Sequence, residues 1–201
     1  MIEKPHAPST DRNREPILAE LGPLFADRSR VLEIGSGTGQ HAVFFAAALD
    51  HLVWQCSDRP ENLHGIRAWL DHAALANTPP PITLDVRHGP WPGRRFDAVF
   101  SANTLHIMAW DAVKALFAGL SAVLEDGAKV AIYGPFNRNG SATSEGNTAF
   151  DAKLRAEHPD MGLRDAEAVD ALANAAGLSL IADIAMPANN ALRVWRLGVS
   201  G

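Results

Sequence analysis

Seven consecutive residues, Glu33-Ile34-Gly35-Ser36-Gly37-Thr38-Gly39, close a short apolar run and precede a stretch of helical composition. Glycine at alternate positions lets a backbone turn sharply and approach a ligand, and a helix that begins there offers N–H groups at its start. This is the composition of a nucleotide pocket. Asp58 follows Gly39 by about 20 residues at the end of a second apolar run, where a carboxylate can accept both hydroxyls of an adenosine ribose. Turn and acid together say more than either alone.

Spacing leaves two ligand classes open, because Gly37, Gly39 and Ala42 also fit the G-x-G-x-x-G/A pattern of nicotinamide and flavin dinucleotide sites. Three features favour S-adenosylmethionine, held over Gly35, Ser36, Gly37 and Gly39. Glu33 stands two residues before the first glycine, where a carboxylate can act near the cationic amino-acid end of that cofactor by Coulomb attraction or through bridging water. A pyrophosphate would gain nothing from it. Asp85 follows the apolar end of a third run, in position to accept a hydrogen bond from the adenine amino group, with Val86 beside it to line the ring. The third feature is a C-terminal pair of apolar runs joined by a short connection, an antiparallel hairpin that is not the usual dehydrogenase arrangement.

Methyl transfer from a sulfonium is an in-line displacement, so a protein has mainly to hold the nucleophile, exclude water and accept a proton. His106, a few residues beyond a fourth apolar run, is the candidate base; its alternative is a hydrogen-bonded histidine that only shapes the pocket. Asn103 just before it is assigned to the cofactor. Tyr133, the only tyrosine, ends a fifth run and either binds the acceptor through its hydroxyl or finishes the core. Phe136 and Asn137, in the loop that follows, are assigned to the acceptor with it. Arg12 and Asn13 precede the first helix, where a guanidinium can grip the cofactor carboxylate or an acidic substrate; the alternative is an exposed leader. Gln40 and His41 either reach the cofactor or are ordinary first-turn residues. The eight histidines are scattered without the spacing of a zinc site, so no metal is expected. No G-x-S-x-G elbow is present, and Cys56 lies in a strand, where an inert buried thiol is usual.

Length and charge bound the rest. A chain of 201 residues, 47% hydrophobic, can bury one substantial core, so residues 1–201 read as a single domain, with a leader and cap helix over 1–28 and the main fold over 29–201. A net charge of -5 without a block of Lys or Arg predicts no nucleic-acid or membrane partner and favours a small-molecule acceptor, bound by a monomer or homodimer. The lone Cys56 and a polar start containing Pro5 and Pro8 predict a cytoplasmic protein.

Helical and strand-like stretches alternate throughout, as in an α/β sheet covered by helices on both faces. A cap helix is expected from Pro16 through Phe25, and helices over about 40–49, 61–76, 110–124 (ended by Gly127) and 164–176. Strands are expected at Val31–Ile34, Leu52–Cys56, Ile82–Val86, Phe96–Ser101, Ala128–Tyr133, Leu178–Ala182 and Ala191–Leu197. Gly134 to Asn147, rich in Gly, Asn and Ser, reads as a long surface loop in the position of a lid. The result is a Rossmann-like, doubly wound, mostly parallel seven-stranded sheet ending in an antiparallel hairpin.

Glu33 to Gly39, Asp58, Asp85 and this strand order resemble the class I S-adenosylmethionine-dependent methyltransferases over nearly the whole chain. Within that superfamily, Asp11-Arg-Asn-Arg-Glu-Pro-Ile-Leu18, Gly35-Ser-Gly-Thr-Gly-Gln-His-Ala42, Ser57-Asp58, Asn103-Thr-Leu-His-Ile107, Tyr133-Gly-Pro-Phe136 and Pro187-Ala-Asn-Asn190 resemble a poorly characterised methyltransferase-like family once labelled only as of unknown function. The resemblance implies methyl transfer from S-adenosylmethionine to an oxygen, sulfur or nitrogen atom of a small metabolite. Asn103-Thr104-Leu105-His106 lacks the Pro-Pro-aromatic sequence that resembles the amine-methylating nucleic-acid enzymes. Two rival readings stay open: a non-catalytic module that binds S-adenosylmethionine or a partner on a retained fold, and an NAD(P)-dependent oxidoreductase.

Overall fold

A computed structural model describes residues 4–199. After helix α1 (Pro8–Phe25) come β1 (Arg30–Ile34), α2 (Gln40–Ala48), β2 (Val53–Asp58), α3 (Leu63–Ala73), β3 (Ile82–Thr83), β4 (Phe96–Ala102), α4 (Trp110–Val123) and β5 (Leu124–Gly134). There follow β6 (Phe136–Asn137), α5 (Glu145–Glu157), β7 (Arg164–Asp165), α6 (Ala166–Ala175), β8 (Leu178–Met186) and β9 (Asn190–Leu197). Seven strands form one sheet in the order β3-β2-β1-β4-β5-β9-β8, while β6 and β7 pair separately. The first five sheet strands are parallel and β9 runs antiparallel to both its neighbours, β5 and β8, the Rossmann-like arrangement expected from the sequence.

The order of strands follows from which runs are apolar on both faces. Val31 to Ile34 and Ala98 to Phe100 are buried throughout, as strands flanked by helices on both sides must be. One apolar core packs α1, α2 and α3 on the sheet through residues such as Ile17, Phe45, Trp54 and Ile66. The other packs α4 and α6 through Val113, Leu116, Phe117 and Val169. Between β1 and β4 the strand order reverses direction, and the carboxyl ends of these two strands form the crevice where open α/β sheets bind ligands.

Four local expectations are corrected. α1 begins at Pro8, so Arg12 and Asn13 lie within it rather than ahead of it, and Pro16 and Pro23 are inside it. A proline within a helix removes a backbone donor and costs about 3 kcal/mol. Ile17, Leu21 and Phe25, all wholly buried, each recover about 1.5–3 kcal/mol and hold the helix in place. Gly127 does not end α4: β5 starts directly after Val123, and Gly127, with φ 73°, sits where the β4–β5 register slips. The third strand stops at Thr83, because Asp85 folds the chain into a turn by accepting from Arg87 N–H at 2.9 Å. The expected loop over 134–147 is short; its last residues enter α5, capped by Ser144, whose hydroxyl accepts from Asn147 N–H at 3.1 Å.

Candidate cofactor and acceptor site

The glycine turn adopts left-handed backbone at all three glycines, with φ 73°, 57° and 88° at Gly35, Gly37 and Gly39. Their tasks differ. A side chain on Gly35 would meet Thr104 at 2.8 Å, and one on Gly39 would meet the α3 backbone at Ile66 at 3.1 Å, so these two are needed for close packing inside the protein. A side chain on Gly37 would meet nothing within 4 Å, which makes it the glycine that leaves room for a ligand.

The amides of the turn are directed inward. Gly35 and Ser36 N–H both donate to Ser57 O at 3.0 and 3.1 Å, Gly37 N–H to Asp58 Oδ2 at 2.7 Å, Gly39 N–H to Ser36 O at 2.9 Å, and Gln40 N–H to Thr38 Oγ1 at 3.3 Å. A pyrophosphate site needs such amides free. The sequence suggested N–H groups offered to the ligand, and the structure shows these five already used.

Carboxylates surround the turn instead. Asp58, at the end of β2, accepts from Gly37 N–H through Oδ2 and from Arg59 N–H (2.7 Å) and Asn62 Nδ2 (2.8 Å) through Oδ1. A carboxylate has about four acceptor sites, so three protein donors leave one open. Asp58 therefore pins the turn as well as facing the crevice. On the sequence reading of Asp58 as a ribose ligand, removal of its charge alone, in Asp58→Asn, is expected to weaken cofactor binding by about 1.5–3 kcal/mol. Calorimetric titration checks this, and a thermal unfolding curve tells it from collapse of the turn.

Glu33, expected to act on the cofactor's cationic end directly or through bridging water, is buried. Only 2% exposed, its carboxylate takes hydrogen bonds from Trp54 Nε1 at 3.1 Å and Cys56 Sγ at 3.8 Å beneath the turn. Burial raises it to about 7, while Trp54 and Ser36 work the other way and nearby Asp58 adds to the rise. Asp85, assigned to adenine, accepts within its own turn from Arg87 N–H at 2.9 Å and from His88 Nδ1 at 3.1 Å, one donor on each oxygen. Adenine would have to share it. Val86 beside it is buried.

α1 closes one side of the crevice. Its inward stripe is polar at Thr10 and Asn13, where it covers the carboxyl edge, and apolar at Ile17, Leu21 and Phe25, where it covers the core. Asn13 accepts from His41 Nε2 at 2.7 Å, and lies beside the buried Tyr133 hydroxyl, which burial raises and Asn13 lowers. Ala7 N–H donates to Gln40 Oε1 at 2.6 Å, and Trp69 Nε1 to Pro5 O at 2.7 Å, tying the leader across α2 and α3. Gln40 thus holds the leader and His41 holds α1. Arg12 is exposed.

The loop after β4 brings the remaining residues together. Thr104 packs on Gly35, so the glycine turn and the His106 loop adjoin. A side chain on Gly134, at the end of β5, would lie 3.8 Å from His106 Nδ1 and 3.9 Å from Asn103 Oδ1. Asn103 takes left-handed backbone (φ 56°) and donates its N–H to Tyr133 O at 2.9 Å. The edge of Phe150 on α5 covers the His106 ring at 5.3 Å, and Gly162 N–H donates to His106 O at 2.9 Å. Burial, then Arg164, push His106 down to about 4. Its ring nitrogens have no hydrogen-bond partner among the described residues.

Phe136 is drawn into the core on the α4 and α6 side, with the Arg193 guanidinium 5.7 Å from its ring, so its assignment to the acceptor is corrected. Asn137, partly buried, pairs in register with Asp165 through β6 and β7. Sequence reasoning missed Phe150, whose ring meets that of His106; it places Arg164, which also acts on His106, at the rim of the site with Asp165. Ser144, a strong helix-capping residue ahead of Glu145, was the signal that could have revealed the helix carrying Phe150.

The family described as "Protein of unknown function (DUF938)" matches residues 4–197. The chain belongs to this family. Among solved structures, it is similar to the apo form of the S-adenosylmethionine-dependent methyltransferase SibL, with 21% identity, a TM-score of 0.80 and coverage of 94% of this chain and 55% of that one. An O-methyltransferase family protein from Burkholderia thailandensis gives 14% identity and a TM-score of 0.80 over 96% of this chain and 58% of that one. Human N-acetylserotonin methyltransferase in complex with S-adenosylmethionine gives 14% and 0.80 over 95% and 53%. The DUF938 chain thus spans little more than half the length of these proteins and shares their fold.

Proposed function

We propose that this DUF938 protein is an S-adenosylmethionine-dependent methyltransferase acting on an oxygen, sulfur or nitrogen atom of a small molecule. The observation that carries the reading is the glycine turn: five amides directed inward, carboxylates at Glu33 and Asp58, and open space only at Gly37. Such a turn suits a nucleoside with a positive charge better than a dinucleotide pyrophosphate, which argues against the oxidoreductase reading. Asp58, Gly37 and the Val86 region would hold the nucleoside, and Arg12, Asn13 and Asn103 its amino-acid end. The cofactor supplies an electrophilic methyl group on sulfur.

The protein's own contribution is positioning, dryness and a proton acceptor. His106 is pushed down to about 4, so it is neutral at physiological pH, and both ring nitrogens lack hydrogen-bond partners among the described residues. It is therefore free to take a proton from an acceptor hydroxyl, thiol or ammonium held near Gly134. Tyr133, at the end of β5, orients that group, and α1 with α5 keeps water out.

Isothermal titration with S-adenosylmethionine, S-adenosylhomocysteine, NAD and NADP tests the premise: micromolar binding of the two sulfur compounds alone, about −8 kcal/mol, supports it, and binding of NAD or NADP instead overturns it. A panel of small phenols, thiols and amines then reports turnover as S-adenosylhomocysteine formed. With an acceptor found, His106→Gln is expected to lower kcat by roughly 10²-fold while leaving cofactor affinity unchanged. Because His106 ionises near 4, kcat of the unsubstituted protein should show no acid limb from His106 above about pH 5. Equal loss of affinity and kcat would assign His106 a structural role.

A further inference from the structure

A cavity of about 480 Å³ lies between α2 and α3, away from the crevice at the carboxyl ends of β1 and β4: none of Gly37, Asp58, Asn103 and His106 lines it. α2 turns Phe45 and Ala46 to the core and leaves Val43, Phe44 and Ala47 on the cavity side, and α3 contributes Trp69 and His72. The walls are apolar and aromatic. Arg14 of α1 completes the lining, with its guanidinium 4.8 Å from the centre of the Phe44 ring. A guanidinium carries five N–H donors. The Arg14 side chain makes no hydrogen bond among the described residues; its one ionic partner is Asp11 Oδ1 at 3.3 Å, and Asp11 also serves His6 at 2.7 Å. Arg14 Nε is buried and has no partner among the described residues, a state that a ligand acceptor would relieve. No Asp or Glu is among the residues that line the cavity.

We infer that this cavity is a second ligand site, one that takes a small aromatic carboxylate. The inference stands apart from the cofactor reading given above. A carboxylate matches the planar fork of a guanidinium and can accept two of its N–H groups at once. A flat ring fills the space between Phe44 and Trp69, which offer aromatic surface from two different helices. The volume falls within the range of small-molecule sites and admits a two-ring acid. Other ligand classes fit less well: a compact inorganic anion leaves the apolar walls unfilled, an uncharged hydrocarbon leaves Arg14 unpaired, and a cation meets Arg14 with no carboxylate in the lining to offset it. Gln40 and Trp69 also line the cavity, and these two side chains hold the leader through Ala7 N–H and Pro5 O. A ligand in the cavity therefore packs against the residues that tie the leader down.

The test uses 2-naphthoate as probe and 2-naphthamide as its uncharged counterpart, and follows the indole N–H resonance of Trp69 in the isotope-labelled full chain, assigned by its loss in Trp69→Phe. 2-Naphthoate is expected to bind with a Kd of about 100 μM or below. It should shift the Trp69 resonance and leave that of Trp195, in the other core, in place. The amide should bind roughly tenfold or more weakly, because it cannot form the charge-assisted pair with Arg14. Two variants locate the site. Arg14→Gln should weaken 2-naphthoate by roughly tenfold or more and bring acid and amide together. Ala47→Trp, at an exposed position of α2, should fill the cavity and abolish the Trp69 shift. Circular dichroism verifies both folds, and if Arg14→Gln does not fold, Ala47→Trp and the comparison of acid with amide decide. No binding of 2-naphthoate, equal binding of acid and amide, a Trp69 resonance that stays in place, or full affinity in Ala47→Trp overturns the inference.

Discussion

Replacement of Arg193 by Met is expected to destabilise the fold by about 3–5 kcal/mol. Arg193 projects from β9 and is 1% exposed. It donates to Asp170 of α6 at 2.6 Å and to Asp183 of β8, and its guanidinium lies 5.7 Å from the Phe136 ring and 5.6 Å from that of Trp195. Asp183 is shared with Arg138, and Asp170 also accepts from Trp195 Nε1 at 3.0 Å. One side chain thus joins the antiparallel hairpin, α6 and the strand that leads from the crevice to α5. Met keeps much of the volume but leaves two half-buried carboxylates without their shared cation. Urea unfolding measures the loss. If Asp170→Asn with Asp183→Asn restores part of it in the Arg193→Met background, stranded charge is the cause; if nothing is restored, lost packing against Phe136 and Trp195 is.

The sheet was legible because its signal is local. Val31 to Ile34, Ala98 to Phe100 and Val130 to Ile132 are continuous apolar runs, each bounded by turn residues, and parallel strands buried on both faces are written in that way. The hairpin at the end of the sheet was legible because only a short connection separates two such runs. Helix α5 was not, since Glu145-Gly-Asn-Thr has poor helix propensity and only Asn147 and Leu154 of the helix are buried. What holds it is tertiary: Asn147 Nδ2 donates to Asn189 O at 3.1 Å, Asp151 accepts from Leu163 N–H at 2.6 Å, and Phe150 meets His106. α1 was half legible. Its apolar stripe starts at Ile17, and the first two turns carry Thr10 and Asn13 inward because they cover the crevice rather than the core.

For the site, sequence identified residue types and chain order but not where each polar group is satisfied. Glycines at 35, 37 and 39 announce a tight turn, yet the inward direction of its amides depends on Ser57 O and Asp58, which arrive from a different strand. Likewise, Glu33 is two residues from the first glycine in either ligand reading. Alternation along β1 sends Ile34 to one core and Glu33 to the other with Trp54 and Cys56, and this decides that its carboxyl is buried.

That position makes Glu33→Gln a stabilising substitution at alkaline pH. Burial raises the carboxyl from 4.5 to about 7 in the folded protein, so between these values the folded state holds a proton that the unfolded state has lost. Stability from this group is then complete below pH 4.5, falls as pH rises to about 7, and is flat beyond. A shift of this size corresponds to about 3 kcal/mol, which Glu33→Gln removes because its amide never ionises. His41 and His106 act in the opposite direction. Both are pushed by burial from 6.5 to about 4, so the protein loses stability as pH falls from 6.5 towards 4 and the imidazoles must charge on unfolding. Chemical denaturation at pH 4.5, 6 and 8 is expected to show the unsubstituted protein and Glu33→Gln close together at the lowest value, with the variant ahead by up to about 3 kcal/mol at the highest. If the two instead differ equally at every pH, Glu33 is ionised in the folded protein throughout and a cation already faces it. If they converge at pH 8 as well, the carboxyl is hydrated despite its burial, and the dry, uncompensated environment beneath the glycine turn does not exist in solution.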